Sequence, residues 1–224
     1  MLVDDVPVEK PGTRVRDGAA IRVRGEERVF VSRGGEKLAG AIQDLEIDPS
    51  GFACLDLGAS TGGFTDCLLR AGARQVVAVD VGYGQLDVKL RGDPRVLVLE
   101  RTNARYLEAS AVPGPIDLVT IDVSFISTTL LLPRLPEVAP GADILVMVKP
   151  QLEVGRDQVG KGGVVRDEAL RAAAAERVRG CAESLGYRLQ GQVDSRLPGP
   201  KGNREIFLWL RAGPSPSGEQ SGPI

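Results

Sequence analysis

Four charged residues stand where predicted strands and helices begin or end, which is where side chains are readily brought together for chemistry. Asp122 ends one predicted strand in Thr-Ile-Asp-Val-Ser-Phe, and Lys149 ends another in Met-Val-Lys-Pro. Glu205 opens the last predicted strand in Asn-Arg-Glu-Ile-Phe, and Lys37 lies on the first predicted helix. Charges beside such apolar segments are seldom deeply buried unless they are paired. In a sheet covered on both faces, Asp122 and Lys149 would meet at one carboxyl edge, together with Asp56.

The chemistry open to these groups is limited because the 224-residue chain contains no histidine. This excludes Ser-His-Asp and Cys-His catalysis and histidine-bound zinc, and it leaves a carboxylate, Lys, Cys or Tyr as the general base. Two lysines and two acids suit the methylation of a hydroxyl group, in which a neutral amine takes the hydroxyl proton. Desolvation and a second ammonium lower the pKa of a lysine, whereas carboxylates hold the geometry and oppose that fall. The alternative interpretation is a set of surface ion pairs.

A second candidate site is the turn of residues 56–63, Asp-Leu-Gly-Ala-Ser-Thr-Gly-Gly, which follows an apolar predicted strand. Its glycines do not fit the G-x-G-x-x-G spacing of a dinucleotide site. Asp56 would repel a pyrophosphate but attract a cation, and Asp80, at the end of the next strand, can accept both hydroxyls of a ribose. S-adenosyl-methionine carries an ammonium, a sulfonium and a ribose, so it fits both carboxylates, with Asn103 placed for the adenine edge. The alternative is a purely structural glycine turn with a capping aspartate.

Residues 155–162, Gly-Arg-Asp-Gln-Val-Gly-Lys-Gly, resemble a phosphate-binding loop of the P-loop type. Gly162 stands where that loop needs the Ser or Thr that binds magnesium, so the resemblance fails. We therefore expect a loop near the site rather than a nucleoside triphosphate site. No metal site is predicted.

Apolar segments alternate with helical patterns, which predicts an α/β fold with a doubly wound, mostly parallel sheet of seven strands. The last two strands are joined by Leu-Pro-Gly-Pro-Lys-Gly-Asn without a helix, which indicates an antiparallel pair at the sheet edge. One helix begins near Gly35 and carries Lys37 off its apolar face. The predicted strands are 52–57, 75–81, 96–100, 117–123, 143–148, 187–193 and 204–211, and the other predicted helices are 62–71, 127–138 and 167–185.

Composition is that of an ordinary globular protein, with 42% hydrophobic and 26% charged residues. The three cysteines have no CxxC spacing, which favours a reduced, cytoplasmic setting, and neither a signal peptide nor a membrane span is predicted. The formal net charge of −2 does not point to nucleic acid, but basic residues crowd the first 37 positions and could bind phosphate. Alternatively, they form a solvated surface with neighbouring acids. This basic cluster comprises Lys10, Arg14, Arg16, Arg22, Arg24, Arg28, Arg33 and Lys37.

Seven motifs, spread over roughly residues 1–211, carry a resemblance to a known family. They are Phe-Val-Ser-Arg-Gly-Gly-Glu-Lys-Leu (30–38), Asp-Leu-Gly-Ala-Ser-Thr-Gly-Gly-Phe-Thr (56–65), Asp-Val-Gly-Tyr-Gly-Gln-Leu (80–86), Glu-Arg-Thr-Asn-Ala-Arg (100–105), Asp-Val-Ser-Phe-Ile-Ser (122–127), Val-Lys-Pro-Gln-Leu-Glu-Val-Gly (148–155) and Pro-Gly-Pro-Lys-Gly-Asn-Arg-Glu (198–205). In this order they resemble the TlyA or hemolysin A family, whose members are similar to the FtsJ-type ribose 2′-O-methyltransferases.

The resemblance implies a Rossmann-like enzyme that uses S-adenosyl-methionine to methylate cytidine 2′-hydroxyls in ribosomal RNA, with ribosomal RNA or ribosomal subunits as partners. It implies a catalytic Lys-Asp-Lys-Glu tetrad in which Lys149 is the base or the group that activates it, and Lys37 and Glu205 orient the ribose. The fourth member of this tetrad is Asp122. The implied cofactor contacts are Asp56, Gly58, Ser60, Gly62, Asp80, Asn103 and Asp122.

The resemblance also predicts how the chain is divided. Residues 1–29 resemble only the closing β portion of an RNA-binding domain like that of ribosomal protein S-four, so this domain is either truncated or its start is misassigned. Residues 30–212 form the methyltransferase domain, and residues 213–224 a disordered tail.

Three other functions compete with this one. A non-catalytic RNA-binding or ribosome-assembly factor on the same scaffold is the main alternative. A nicotinamide-dependent oxidoreductase is disfavoured by the glycine spacing. Membrane lysis is disfavoured because the sequence has neither a long apolar segment nor a strongly basic amphipathic helix.

Overall fold

The computed structural model describes residues 2–8, 10, 12–22 and 29–213. The predicted basic cluster falls partly outside these residues, at Arg24 and Arg28, and so does the predicted tail from residue 214 onward. The first described residues form a small antiparallel sheet in which β1 lies between β2 and β3. Asp4 fastens this sheet, because its carboxylate accepts a hydrogen bond from the Ala20 amide at 2.9 Å and pairs with Arg16 at 3.0 Å. The three strands are β1 (Leu2–Val3), β2 (Val6–Pro7) and β3 (Ile21–Arg22).

Seven further strands form one sheet, as the alternation of apolar segments predicts. Five of them are parallel, and the last strand among the described residues lies antiparallel between its two neighbours. The predicted antiparallel edge pair is thus confirmed. In spatial order the strands are β6 (Val96–Leu99), β5 (Gln75–Val79), β4 (Ala53–Leu57), β7 (Leu118–Ile121), β8 (Asp143–Val148), β10 (Ile206–Ala212) and β9 (Tyr187–Asp194).

Helices cover both faces of this sheet, and polar side chains cap several of them. The Ser32 hydroxyl accepts from the Gly34 amide at the start of the first helix, and Asp167 accepts from the Ala169 amide at the start of the last. The α-helices are α1 (Arg33–Asp44), α2 (Gly63–Arg70), α3 (Val88–Arg91), α4 (Leu135–Val138), α5 (Pro150–Glu153) and α6 (Glu168–Ser184). Short 3₁₀ helices occupy Ala104–Tyr106, Ala109–Ala111, Thr128–Leu130, Leu132–Arg134 and Arg156–Gln158.

The prediction of one continuous helix over residues 127–138 is wrong. The structure breaks this segment into two 3₁₀ turns followed by the single turn of α4. Pro133 and Pro136 explain the break, because proline lacks an amide hydrogen and its ring clashes with the preceding turn of an α-helix.

Two hydrophobic clusters fill the space on either side of the sheet. Alternate residues of a strand point to opposite faces, so Leu55 and Leu57 belong to one cluster while Cys54 belongs to the other. All five residues of β4 are buried, as expected of a central parallel strand. Among the residues that the structure describes, no helix has the length and apolar character needed to cross a membrane.

The order of the strands reverses between β4 and β7, since the chain runs outward from β4 to β5 and β6 and then returns to the other side. Such a switch point leaves a crevice at the carboxyl ends of the two strands, where open α/β sheets bind their ligands. The loops after Leu57 and Ile121 therefore border the crevice. They touch closely: a Cβ on Gly58 would lie 2.6 Å from the carbonyl oxygen of Asp122.

Candidate active site

A cavity of about 700 Å³ opens at this switch point. Its volume lies in the range of small-molecule and cofactor sites. Four predicted catalytic residues, contributed by a helix and three different strand ends, line it together: Lys37, Asp122, Lys149 and Glu205. The structure thus brings together side chains that are up to 168 positions apart in the sequence.

Lys149 and Asp122 form the first of two ion pairs in the cavity. Lys149 follows β8 and Asp122 follows β7, and the two strands are parallel neighbours, so both side chains emerge at the same edge. Lys149 Nζ lies 2.6 Å from Asp122 Oδ1 and donates a hydrogen bond to Ser124 Oγ at 3.0 Å. The ammonium is therefore fixed by two oxygens that belong to one loop.

Lys37 and Glu205 form the second pair, in which Lys37 Nζ contacts Glu205 Oε2. Lys37 is 6% exposed and Glu205 is 2% exposed, so both charges have lost most of their contact with water. Such a pair is sustainable because each charge compensates the other, whereas either one alone would be strongly destabilising. Lys37 is one of the buried residues of α1, and its charge is sustained there by this partner.

Burial raises the pKa of Asp122 above its ordinary value of 3.8. The positive charge of Lys149 opposes this rise, and the negative charge of Glu205 adds to it. Proton affinity at Asp122 is therefore higher than that of a carboxylate in water, although the residue is paired with an ammonium. A proton shared between Asp122 and Lys149 can accordingly move more easily than in an exposed ion pair.

The turn after β4 also borders the cavity, where Gly58, Ala59, Ser60 and Thr61 line it. Gly58 has a φ of +91°, and the close approach to the Asp122 carbonyl leaves no room for a side chain there. Asp80, which follows β5, stabilises the turn, because its carboxylate accepts hydrogen bonds from the amides of Ser60 at 2.8 Å and Gly82 at 2.6 Å.

Asp56 lies beneath this turn rather than in the cavity lining. Its side chain is fully buried and accepts hydrogen bonds from Thr65 Oγ1 at 2.7 Å and Thr120 Oγ1 at 3.1 Å. Burial raises the pKa of Asp56 to about 7, even though the two threonines favour its ionised form. The structure therefore places Asp56 where it joins β4 to α2 and β7.

Three other predicted cofactor residues, Asp80, Gly62 and Asn103, also lie outside the cavity lining. Gly62 caps the start of α2 with a φ of +96°, and a Cβ there would collide with Leu90 and Leu86. Asn103 is exposed, and its side-chain oxygen accepts a hydrogen bond from the Arg105 amide at the start of a 3₁₀ helix. Of the predicted cofactor contacts, Gly58, Ser60 and Asp122 are those that face the cavity.

Sequence reasoning did not single out several residues that line the cavity. Ser124 follows Asp122 by two positions, so it could have been found once that strand end was chosen. Phe125 is 95% exposed at the cavity and has a φ of +74°, a backbone conformation that a bulky residue rarely adopts. Lys201 and Asn203 lie in the loop before Glu205, and no spacing rule marks them.

Comparisons with known proteins agree with this arrangement. The family model described as FtsJ-like methyltransferase matches residues 30–212. A 16S/23S rRNA (cytidine-2′-O)-methyltransferase TlyA from Mycobacterium tuberculosis is 54% identical over 211 residues, which are 93% of this chain and 79% of that protein. Hemolysin A from Brachyspira hyodysenteriae is 38% identical over 92% of this chain and 87% of that protein.

A solved structure, "Putative hemolysin from Streptococcus thermophilus", has a TM-score of 0.83 and is 40% identical. The match covers 95% of this chain and 76% of that chain. On the sequence match, and with the fold and the cavity described above, the chain belongs to the FtsJ-like methyltransferase family.

Proposed function

We propose that this chain methylates the 2′-hydroxyl of cytidine in ribosomal RNA, with S-adenosyl-methionine as the methyl donor. The observation that carries the proposal is the cavity in which two lysine–carboxylate pairs face the glycine turn after β4. The substrate class is taken from the Mycobacterium tuberculosis relative, whose name states this activity. In this proposal residues 1–29 contribute to RNA binding, residues 30–212 carry catalysis, and the protein acts in the cytoplasm.

The residues of the glycine turn fit the methyl donor. Gly58 lines the cavity, and a Cβ there would collide with the Asp122 carbonyl, so only glycine lets this turn lie against the Asp122 loop at the edge of the cavity. Gly58, Ser60 and Asp122 would hold the donor, and Asp80 would act through Ser60 and Gly82, whose amides it fixes. S-adenosyl-methionine would supply an electrophilic methyl group on a positively charged sulfur.

Lys149 is proposed as the group that takes the proton of the 2′-hydroxyl. Its ammonium must first lose a proton, and Asp122 is placed to receive it at Oδ1, 2.6 Å away. The raised pKa of Asp122 lowers the cost of this transfer, which leaves a neutral amine beside a neutral acid in place of two partly buried charges. The amine would then accept the hydroxyl proton as the ribose oxygen takes up the methyl group, whose bond to the donor sulfur would break and leave a neutral thioether. Ser124 Oγ keeps Lys149 Nζ directed at the site during this exchange.

Lys37 and Glu205 are proposed to orient the ribose. Their buried pair leaves hydrogen-bonding capacity on both groups, since an ammonium has three donors and a carboxylate several acceptor positions. A ribose offers hydroxyls that can both donate and accept, so it can bind beside both residues without separating them. The pair is held by regular structure on both sides, because Lys37 lies on α1 and Glu205 directly precedes β10.

The test is transfer of labelled methyl groups from S-adenosyl-methionine to ribosomal RNA or ribosomal subunits, followed by mapping of the methylated riboses. Lys149→Ala and Asp122→Ala are expected to lose transfer while keeping the fold. Arg188→Ala is the matched control, because Arg188 is exposed and far from the site along the sheet. It lies opposite Arg211 in the β9–β10 ladder, near the end of β10 that is remote from the site. Unchanged transfer in both site variants would refute the proposed mechanism.

Calorimetry distinguishes the alternative of a non-catalytic RNA-binding or assembly factor. An enzyme of the proposed kind is expected to bind S-adenosyl-methionine with a micromolar dissociation constant. Binding of ribosomal RNA without detectable binding of the methyl donor would favour the assembly factor and contradict the proposal.

A further inference from the structure

The charges of the cavity are not balanced. Its two carboxylates are each neutralised by a lysine, in the pairs formed by Lys149 with Asp122 and Lys37 with Glu205. Two more cations, Arg33 and Lys201, also line the cavity. Neither makes an ion pair with any acid among the described residues. The cavity therefore carries two uncompensated positive charges. It favours the binding of an anionic group in addition to the methyl donor.

Lys201 belongs to a wall built from two glycine-rich loops. It lies across Gly163, since a Cβ on that glycine would be 3.6 Å from Lys201 Nζ. Gly162 and Gly163 both have a φ of +80°, a conformation that side chains disfavour. The surface next to the ammonium is therefore bare backbone, which leaves space for a bulky group such as a phosphate.

Asn203 fixes the position of this wall. Its side chain is 3% exposed, accepts a hydrogen bond from the Val165 amide at 2.9 Å and donates one to the Gly163 carbonyl at 2.8 Å. Its carbonyl accepts from the Gly199 amide at 2.8 Å. Asn203, two residues before Glu205, thus ties the loop that carries Lys201 to the loop that carries Gly163.

Arg33 supports the same wall from the other side, because its Nη2 donates a hydrogen bond to the Pro198 carbonyl at 2.9 Å. One uncompensated cation, Lys201, therefore belongs to the 198–203 loop, and the other, Arg33, is hydrogen-bonded to the first residue of that loop. A target ribose within an RNA strand has one phosphodiester on each side. The wall consequently presents positive charge where an RNA backbone must pass if its ribose is to reach Lys149.

We propose that Lys201 binds a phosphodiester next to the target ribose, on the wall formed by Gly163 and the 198–203 loop. The inference rests on the proposed function, because it places an RNA ribose in the cavity. It assigns Lys201 a role that is separate from the tetrad: the residue holds the strand in register and takes no part in proton transfer.

The experiment compares Lys201→Ala, Lys201→Arg and Arg188→Ala in binding of ribosomal RNA and in methyl transfer. Lys201→Ala is expected to raise the dissociation constant and the KM for RNA roughly fivefold, with kcat and affinity for S-adenosyl-methionine unchanged. The slope of log K against log salt concentration should fall by about 0.7–0.9, as for one lost phosphate contact. Lys201→Arg should behave as the unmodified protein, and Arg188→Ala tests the loss of one positive charge at the opposite edge of the sheet.

A second arm uses RNA with a neutral methylphosphonate at either linkage beside the mapped ribose. At one of the two positions it should weaken binding of the unmodified protein and have no further effect on Lys201→Ala. RNA binding by Lys201→Ala that equals that of Arg188→Ala would overturn the phosphate site and leave the proposed function intact. Absence of methyl transfer by the unmodified protein would instead overturn the proposed function, while the binding comparison would still decide the role of Lys201.

Discussion

Replacing Asp56 with Asn should stabilise the protein, and more so at higher pH. In the folded state Asp56 has a pKa of about 7, compared with 3.8 for an aspartate in water. At about 1.4 kcal/mol per pKa unit, the ionised residue costs about 4 kcal/mol of stability above pH 7. Because the folded pKa is raised, the folded protein binds more protons than the unfolded chain between pH 4 and 7. This cost is therefore absent below about pH 4, grows as the pH rises and is complete above about pH 7.

Asparagine removes the charge and retains the shape. Its oxygen can accept from Thr65, and its amide group can donate to the Thr120 hydroxyl, which is able to accept. Urea unfolding of Asp56→Asn and the unmodified protein should be compared at pH 5.5 and pH 7.5. The advantage of the variant in free energy of unfolding is expected to be about 2 kcal/mol larger at pH 7.5.

The control is Asp157→Asn, which removes one negative charge from an exposed residue of the short 3₁₀ helix Arg156–Gln158. It should show no comparable change with pH, because an exposed carboxylate meets water in both the folded and the unfolded state. An advantage of Asp56→Asn that is equal at the two pH values, or larger at pH 5.5, would refute the assignment of a buried, protonatable aspartate. Affinity for S-adenosyl-methionine in the same variant tests whether Asp56 also contacts the methyl donor.

Two further predictions concern the turn and the buried pair. Gly58→Ala should reduce affinity for S-adenosyl-methionine at least about tenfold in calorimetry, because its Cβ would lie 2.6 Å from the Asp122 carbonyl. Gly51→Ala, at a φ of +74° with nothing within 4 Å of the added Cβ, controls for backbone strain alone, and equal losses in both would contradict this reasoning. Lys37→Met and Glu205→Leu should each lower the free energy of unfolding by about 3–5 kcal/mol, since each leaves a buried charge without its partner. The double variant Lys37→Met with Glu205→Leu should recover most of that loss in urea unfolding, so additive losses would argue against a mutually compensated pair.

The sequence was sufficient for most of the fold because the strands are apolar, short and separated by strong turn signals. Each predicted strand agrees with an observed one, and the absence of a helix between the last two correctly indicated an antiparallel pair. The segment 127–138 failed because its leucines have helical spacing while Pro133 and Pro136 forbid a regular helix. Here the local backbone chemistry outweighed the hydrophobic pattern.

The four tetrad residues could be selected because charges at the ends of buried strands must be paired or functional. The pairing itself could not be predicted from the sequence, since the partner of Lys37 is 168 positions away and is brought to it by the antiparallel strand β10. For Asp56 the residue could be selected from the sequence, but the direction of its side chain could not be predicted. A strand-terminal aspartate before a glycine turn predicts a ligand contact, but whether its side chain points outward or beneath the turn depends on Thr65 and Thr120. Those partners become neighbours only in the folded protein.

The antiparallel orientation of β10 has a consequence for how the enzyme matures. Because this strand enters the sheet at the ligand-binding edge, the residues just before it supply Glu205 and the wall that carries Lys201. During synthesis these residues leave the ribosome after β4, β7, β8 and β9. Until they are made, Lys37 lacks its carboxylate, so the catalytic tetrad is complete only once the chain has been extended past β9.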